Sequence, residues 1–318
     1  MKNERILKAS KQQHQLSEVV LSLKRQKRQR YFFLFYMALP GLLLYTIFRF
    51  IPTVLGLVIS LFNWRGTSMH MTYAGLQNYK TLLNDPIFWK AAGNHLYIFL
   101  INTAVVFTFA ILLAALLSSK RLRERGFYRV LFFFPSVVPA VIINVLWMSV
   151  LNPNIGLLNG LLRLIGLEGK SWLGDRTLVK NTIIFVMAWK STGFYMVLFM
   201  AAILNIPTSI FESARIDGAG NIRQTFMISI PLIWEHVRTS LLFFIVTSSG
   251  LGFNVIFMMT NGGPNRASEI LTTYMYSVSF GGESRYGYGS AVAFAILVLT
   301  SLMALLIMAV TKREVYEY

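Results

Sequence analysis

What most restricts this chain is a set of six apolar stretches, at roughly 32–61, 95–118, 128–151, 181–204, 234–258 and 287–310. About 20 such residues carry a helix across ~30 Å of hydrocarbon. Lipid offers no partners to backbone N–H and C=O groups, so each crossing segment must satisfy them internally. The expectation is therefore an all-α polytopic membrane protein with six transmembrane helices. Charged residues make up only 14% of the sequence, against about a quarter in a soluble domain. The first stretch is too long for a signal peptide, and Pro40, Gly41 and Pro52 predict that it tilts or bends. The third carries Pro135 and Pro139, which free carbonyls that neighbouring helices must satisfy.

Charge supplies the orientation. The net charge is +17, but its placement flanking the spans argues for anionic lipid and against nucleic acid. Tail 1–31 carries nine Lys and Arg, and the segment around 119–129 carries five. Together with 205–238 and the C-terminal tail these alternate segments hold 19, against 9 for loops 62–94, 152–180 and 259–286. The positive-inside rule then puts both termini and the segment 205–233 in the cytoplasm. Two cations, Arg49 and Lys190, fall inside spans. Each costs about 2.5–3.5 kcal/mol at the bilayer centre. Snorkelling or a backbone-carbonyl partner accounts for them, and so does a polar pathway.

Other chemistries are restricted by what the chain lacks. It has no cysteine, and His14, His70, His95 and His236 form no i, i+3 or i, i+4 pair, so no metal site is expected. None of the thirteen carboxylates lies in the interior of a span. Ion-driven carriers and membrane-embedded glycosyl-transfer enzymes both want a carboxylate there. No G-x-x-x-x-G-K-[ST] loop is present, so energy for uphill transport would come from a partner.

Between the fourth and fifth stretches lies a polar insert. Pro207 ends the span, Thr208 or Ser209 can cap a short helix, and Phe211, Ala214 and Ile216 lend it an apolar side. Gly218 and Gly220 break it, after which Asn221 can cap a second helix over 222–230, ending at Pro231. These residues alone fit either an amphipathic interfacial loop or a docking handle for another protein.

The spacing of Glu212, Ala214, Gly218, Ile228 and Pro231 resembles the E-A-A-x3-G-x9-I-x-L-P signature of permease subunits from binding-protein-dependent ABC importers, with Ser213 and Ile230 departing from it. Ile206-Pro207 and Ile216-Asp217-Gly218-Ala219 are similar to the carbohydrate (maltose/glycerol-phosphate-type) branch. So are Gly75-Leu76, Asn78-Tyr79, Asp85-Pro86, Phe88-Trp89, Trp147, Asn152-Pro153, Gly156, Asn159, Trp172-Leu173-Gly174-Asp175 and Thr260-Asn261-Gly262-Gly263-Pro264. Asn254 stands where relatives often carry Asp.

The resemblance implies a type I ABC importer permease fold in a bacterial cytoplasmic membrane. The implied segments are tail 1–31, a first helix with outer loop 32–94, a transmembrane domain 95–310 containing the coupling loop 205–233, and tail 311–318. A second homologous permease, two cytoplasmic ATPase subunits and an extracytoplasmic solute-binding protein are the implied partners. ATP and Mg would be bound by the ATPase, with no cofactor, metal or catalytic residue in this chain. Glu212, Ala214, Asp217, Gly218, Ala219, Ile228 and Pro231 would form the ATPase contact, and Gly262, Gly263 and Pro264 an outer-loop turn. For a carbohydrate substrate the candidate pathway residues are Asn144, Trp147, Lys190, Tyr195, Phe253 and Asn254, with Ser191, Thr192, Thr247, Ser248 and Ser249 beside them. Hydroxyls bonding between helices, and aromatics packing or anchoring at interfaces, are the commoner roles of such residues. Arg49 and Lys190 motivate an alternative cargo, glycerol phosphate or another anionic carbohydrate. A membrane-embedded enzyme or scaffold is the third reading.

Overall fold

A computed structural model describes residues 25–66, 70–118, 122–282 and 284–312. Contacts divide the chain into two units, Met1–Val58 and Ile59–Tyr318. Segment 32–94 is thus split between them. The part after Val58 belongs to the larger unit, because Asn78 donates to the carbonyls of Ser60 (2.8 Å) and Phe62 (3.0 Å) and Asp85 binds residues beyond 270.

Helix α1 (Arg25–Ile59) dominates the smaller unit and is apolar enough to span. Within it lies a π-turn, Thr46–Phe50, where the Ile51 amide bonds back to the Thr46 carbonyl. Pro52 follows directly. Proline cannot donate and its ring crowds the preceding turn, so a widened turn upstream accommodates it without breaking the helix.

In the larger unit a two-stranded antiparallel ladder, β1 (Phe62–Asn63) with β2 (Thr72–Tyr73), precedes α2 (Gln77–Leu83) and α3 (Pro86–Ser118). Helix α3 begins nine residues before the predicted span. Pro86 occupies its first position, where a missing N–H costs nothing, and the Asp85 carboxylate accepts the Ile87 amide at 2.8 Å.

The third apolar stretch is not one straight crossing. It forms α4 (Arg125–Val137) and α5 (Ala140–Val150), bent by 101°. Pro139 has no amide to offer the Pro135 carbonyl, and the break strands the Val138 carbonyl. Lys190 supplies the missing donors, its ammonium reaching Val138 O at 2.7 Å and Pro135 O at 3.4 Å. In return Ser136 Oγ donates to the Lys190 carbonyl at 2.9 Å. The lysine is therefore explained by the backbone it satisfies.

After α6 (Leu157–Leu164), helix α7 (Val179–Leu204) runs through the core against α3 and α4. Small residues permit that closeness, as is usual where lipid gives helices no hydrophobic drive to associate. Gly193 is the extreme case, since a Cβ there would sit 1.9 Å from the Phe132 carbonyl oxygen. Beyond the insert come α8 (Thr208–Ile216), α9 (Asn221–Gln224), α10 (Trp234–Met259), α11 (Leu271–Phe280) and α12 (Tyr286–Val310). Five helices, with the bent pair as a sixth element, meet the length and apolarity needed to cross a membrane among the described residues.

Three buried clusters stack along the larger unit. Phe107, Tyr195, Phe199, Phe244 and Ile233 lie near the basic end, where the insert sits. Ile98, Ile183, Met187 and Ile256 fill the middle. Phe88, Tyr274, Tyr288 and Val292 lie at the opposite, loop-rich end. At the basic end the Trp234 indole donates to the Thr311 carbonyl at 2.9 Å, tying the start of α10 to the finish of α12.

Candidate functional site

The insert is built as two short arms about a glycine. Helix α8 starts at Thr208, with Pro207 in the cap position and no side-chain cap, so neither Thr208 nor Ser209 has the predicted capping role. Its far end closes with paired bonds, Ala219 N–H to Ala214 O (2.8 Å) and Gly218 N–H to Arg215 O (3.0 Å). That pattern needs a left-handed residue just past the helix, and Gly218 has φ +77°. The second arm is capped by Gly220, with Asn221 as its first helical residue, and not by Asn221 as predicted. It passes from α9 into a π-turn, Thr225–Ser229, and a final turn, Ile230–Leu232.

This π-turn repeats the arrangement in α1. The Ile230 amide bonds to the Thr225 carbonyl and Pro231 lies in the turn that follows. Both sites read Thr, four residues, Ile-Pro. Gln224, which sequence reasoning passed over, locks the elbow. Its buried amide donates to the Ala219 carbonyl at 2.7 Å, closing the first turn of the second arm over Gly220.

The two faces of the insert differ. Ile210 and Phe211 pack on the basic-end core, and the second arm runs into Ile233, which is fully buried in that core. Ile216 does not join the inward side as expected. It is 88% exposed, and Ile222 is 78% exposed. Between the arms is an open notch of about 850 Å³, whose walls include Arg215, Gln224, Phe226 and Met227. Glu212 and Asp217 are exposed and form no ion pair among the described residues. Ala214, Ala219, Ile228 and Pro231 are half-buried and shape the arms. Exposed apolar side chains around a notch lined by Arg215 and Arg223 form a surface suited to another protein.

The pathway residues do not form one group. Asn144 is buried, donating to the Asn254 carbonyl at 3.2 Å, and Trp147 meets Phe185 and Trp189 edge-on at 5.1 and 5.4 Å. Asn254 is exposed on α10 beside half-buried Phe253. Tyr195 instead sits in the core, its ring 5.1 Å from Phe107 and 5.4 Å from Phe244. Lys190 is held by the α4–α5 carbonyls already described. Of the neighbouring hydroxyls, Thr192 and Thr247 bond to carbonyls within their own helices.

At the loop-rich end the predicted turn is a compact knot. Gly262 has φ +81°, and Ser268 Oγ donates to the Gly263 carbonyl at 2.6 Å, just before Pro264. Asn94 holds the knot to α3 through the carbonyls of Arg266 (3.2 Å) and Glu269 (3.0 Å). Asn159 makes four bonds at 2.9–3.0 Å, to Pro153, to Lys170 twice and to the Trp172 indole. Asp85 accepts the hydroxyls of Tyr274 and of Tyr288, the latter at 2.5 Å. Burial alone would raise the Asp85 pKa, but these hydroxyls and the Ile87 and Phe88 amides outweigh it and hold the carboxyl below its ordinary value. Burial and the same contact with Asp85 push Tyr274 up to about 12.

The family described as "Binding-protein-dependent transport system inner membrane component" matches residues 106–315. A probable ABC transporter permease protein, YurN of Bacillus subtilis, is 36% identical over 87% of this chain and 95% of its own length. The diacetylchitobiose uptake system permease protein NgcF of Streptomyces coelicolor is 32% identical over 88% of this chain and 82% of its own. In fold, the chain is similar to a crystallised bacterial ABC transporter involved in import of the acidic polysaccharide alginate, with TM-score 0.78 and 24% identity over 89% of this chain and 96% of that one.

Proposed function

We propose, from the premise that this chain belongs to the family of binding-protein-dependent transport system inner membrane components, that it is the permease subunit of an ATP-driven carbohydrate importer in a bacterial cytoplasmic membrane. The observation that carries this reading is the Gly218 elbow. It is exposed on one side and joined on the other, without a flexible linker, to the buried start of α10. A push on the notch passes through the Ile230–Leu232 turn to Ile233 and so into the core around Phe199 and Phe244. The Trp234–Thr311 bond carries it on to α12.

In this reading ATP and Mg belong to two partner ATPase subunits, and this chain does no chemistry. Glu212 faces a basic residue of the ATPase, and the exposed Ile216, Ile222 and Met227 seat in its groove. The basic end is then cytoplasmic, as the distribution of Lys and Arg favours. The knot at Gly262–Pro264 faces outward, towards a solute-binding protein, and a second permease completes the pathway. A sugar cargo is supported by the diacetylchitobiose relative. An anionic cargo loses one of its two motivating cations, because the Lys190 ammonium already serves two carbonyls.

The test is Glu212→Lys in the reconstituted complex. Membrane insertion and assembly with the second permease should persist, while sugar uptake falls at least tenfold because a like charge now meets the ATPase. Normal uptake by this variant would refute the coupling role.

A further inference from the structure

Helix α11 has two unlike sides. Tyr274 turns inward to Asp85, whereas Tyr276 and Phe280 lie on its open side. From Tyr276 a run of rings extends both ways. Towards the membrane, Phe257 lies at 5.0 Å and Phe253 at 5.5 Å, these two stacked on each other with planes 14° apart. Away from it, Phe280 follows at 5.2 Å, Tyr286 at 5.5 Å and Trp64 at 5.3 Å. Six rings from four separate segments therefore make one unbroken ladder.

Core packing explains enclosed rings, and interfacial anchoring explains rings at one depth. Neither accounts for this ladder. Phe257, Tyr276 and Phe280 remain open, at 37%, 37% and 59% exposed. The ladder also descends along α10, where Phe253 lies six residues inside the helix end, about 9 Å down at 1.5 Å per residue. The same open face carries the Asn254 amide, which is costly against hydrocarbon. Beside it, fully buried Asn144 donates to the Asn254 carbonyl, and its own Oδ1 has no partner among the described residues. Unused hydrogen-bonding capacity thus lies where the ladder ends. Exposed ring surface, turned 40–88° from one ring to the next beyond the Phe253–Phe257 pair, leads to these amides and suits a ligand that is apolar on its ring faces and hydroxylated on its rim, which is a pyranose.

We propose that these six rings form a stacking track along which an oligosaccharide passes from the outer loops to the Asn144–Asn254 level. The proposal rests on the carbohydrate reading above. The spacing between rings is close to the advance of one sugar unit along a chain, so a chain can engage the next ring before leaving the last.

The experiment uses the full complex in proteoliposomes, with Phe257→Leu and Tyr276→Leu, each keeping apolar bulk while losing the ring. Uptake of lactose, diacetylchitobiose and a maltose-to-maltohexaose series is followed together with ATPase rate. The track predicts about a tenfold fall for the longest sugar that the wild type carries and a smaller fall for its disaccharide. Binding-protein-stimulated ATP hydrolysis should stay within twofold, and Tyr276→Trp should restore uptake. If the rings instead seat the second permease, the leucine variants lose assembly, or lose uptake and ATPase equally at every sugar length, and the track is refuted. Undiminished uptake in both variants refutes it while leaving the carbohydrate reading intact. A wild-type complex that moves no sugar of the panel defeats the carbohydrate reading, and the track with it.

Discussion

Gly218 allows backbone strain to be separated from steric bulk. Its φ is +77°, and a Cβ built there meets nothing within 4 Å. Any cost to this chain from a side chain at 218 is then conformational. An L-residue in the left-handed region costs about 1–2 kcal/mol, with Asn among the residues that tolerate it and β-branched residues the worst. Gly218→Ala should therefore disfavour the elbow by about 1–2 kcal/mol, a five- to thirtyfold shift in its population. Gly218→Val should exceed that, and Gly218→Asn should stay near wild type. The bond at risk is Ala219 N–H to Ala214 O (2.8 Å), which spans Gly218 and needs the left-handed turn. The assay is sugar taken up per ATP hydrolysed in proteoliposomes, with hydrogen exchange of residues 208–232 measured on the same samples. Uptake per ATP and amide protection should both fall in the order Gly, Asn, Ala, Val. Should Asn prove as damaging as Val while amide protection is unchanged, bulk on the docking face decides coupling, and the hinge argument fails.

Gly193→Ala should be among the most damaging single changes in the larger unit. The added methyl would lie 1.9 Å from the Phe132 carbonyl, and overpacking of this kind costs about 1–3 kcal/mol. A melting temperature in detergent equal to wild type would contradict the close approach of α4 and α7. Asp85 provides a pH prediction. Its folded pKa is lowered, so its contribution is full above the unfolded value of about 3.9 and is lost as pH falls through the lower folded value. Limited proteolysis of the loop-rich end should show wild-type protection persisting below pH 4, while Asp85→Asn is more easily cleaved at neutral pH and loses that pH dependence.

Much of this organisation is local enough to be written in the sequence. Apolar length specifies where helices cross, because lipid leaves unsatisfied backbone groups no alternative. The glycine at 218 could be located because a helix followed by a sharp turn needs a residue free of Cβ strain. The paired π-turns were also legible, since Thr46 and Thr225 each precede an Ile-Pro five residues on.

Other features rest on partners distant in sequence. That the third stretch would bend by 101° at Pro139 depended on Lys190 being placed to bond the Val138 carbonyl, 52 residues before it. Periodicity could not decide that Tyr195 packs beside Phe107 and Phe244 instead of opening onto a pathway, nor that Ile216 points away from the core. The Asp85 contacts with Tyr274 and Tyr288 bridge 189 and 203 residues. The aromatic ladder likewise exists only once four segments have met. Short-range preferences fix which elements form and where they stop. Which face of each is covered, and which polar group answers which, follows from packing that no window of the chain contains.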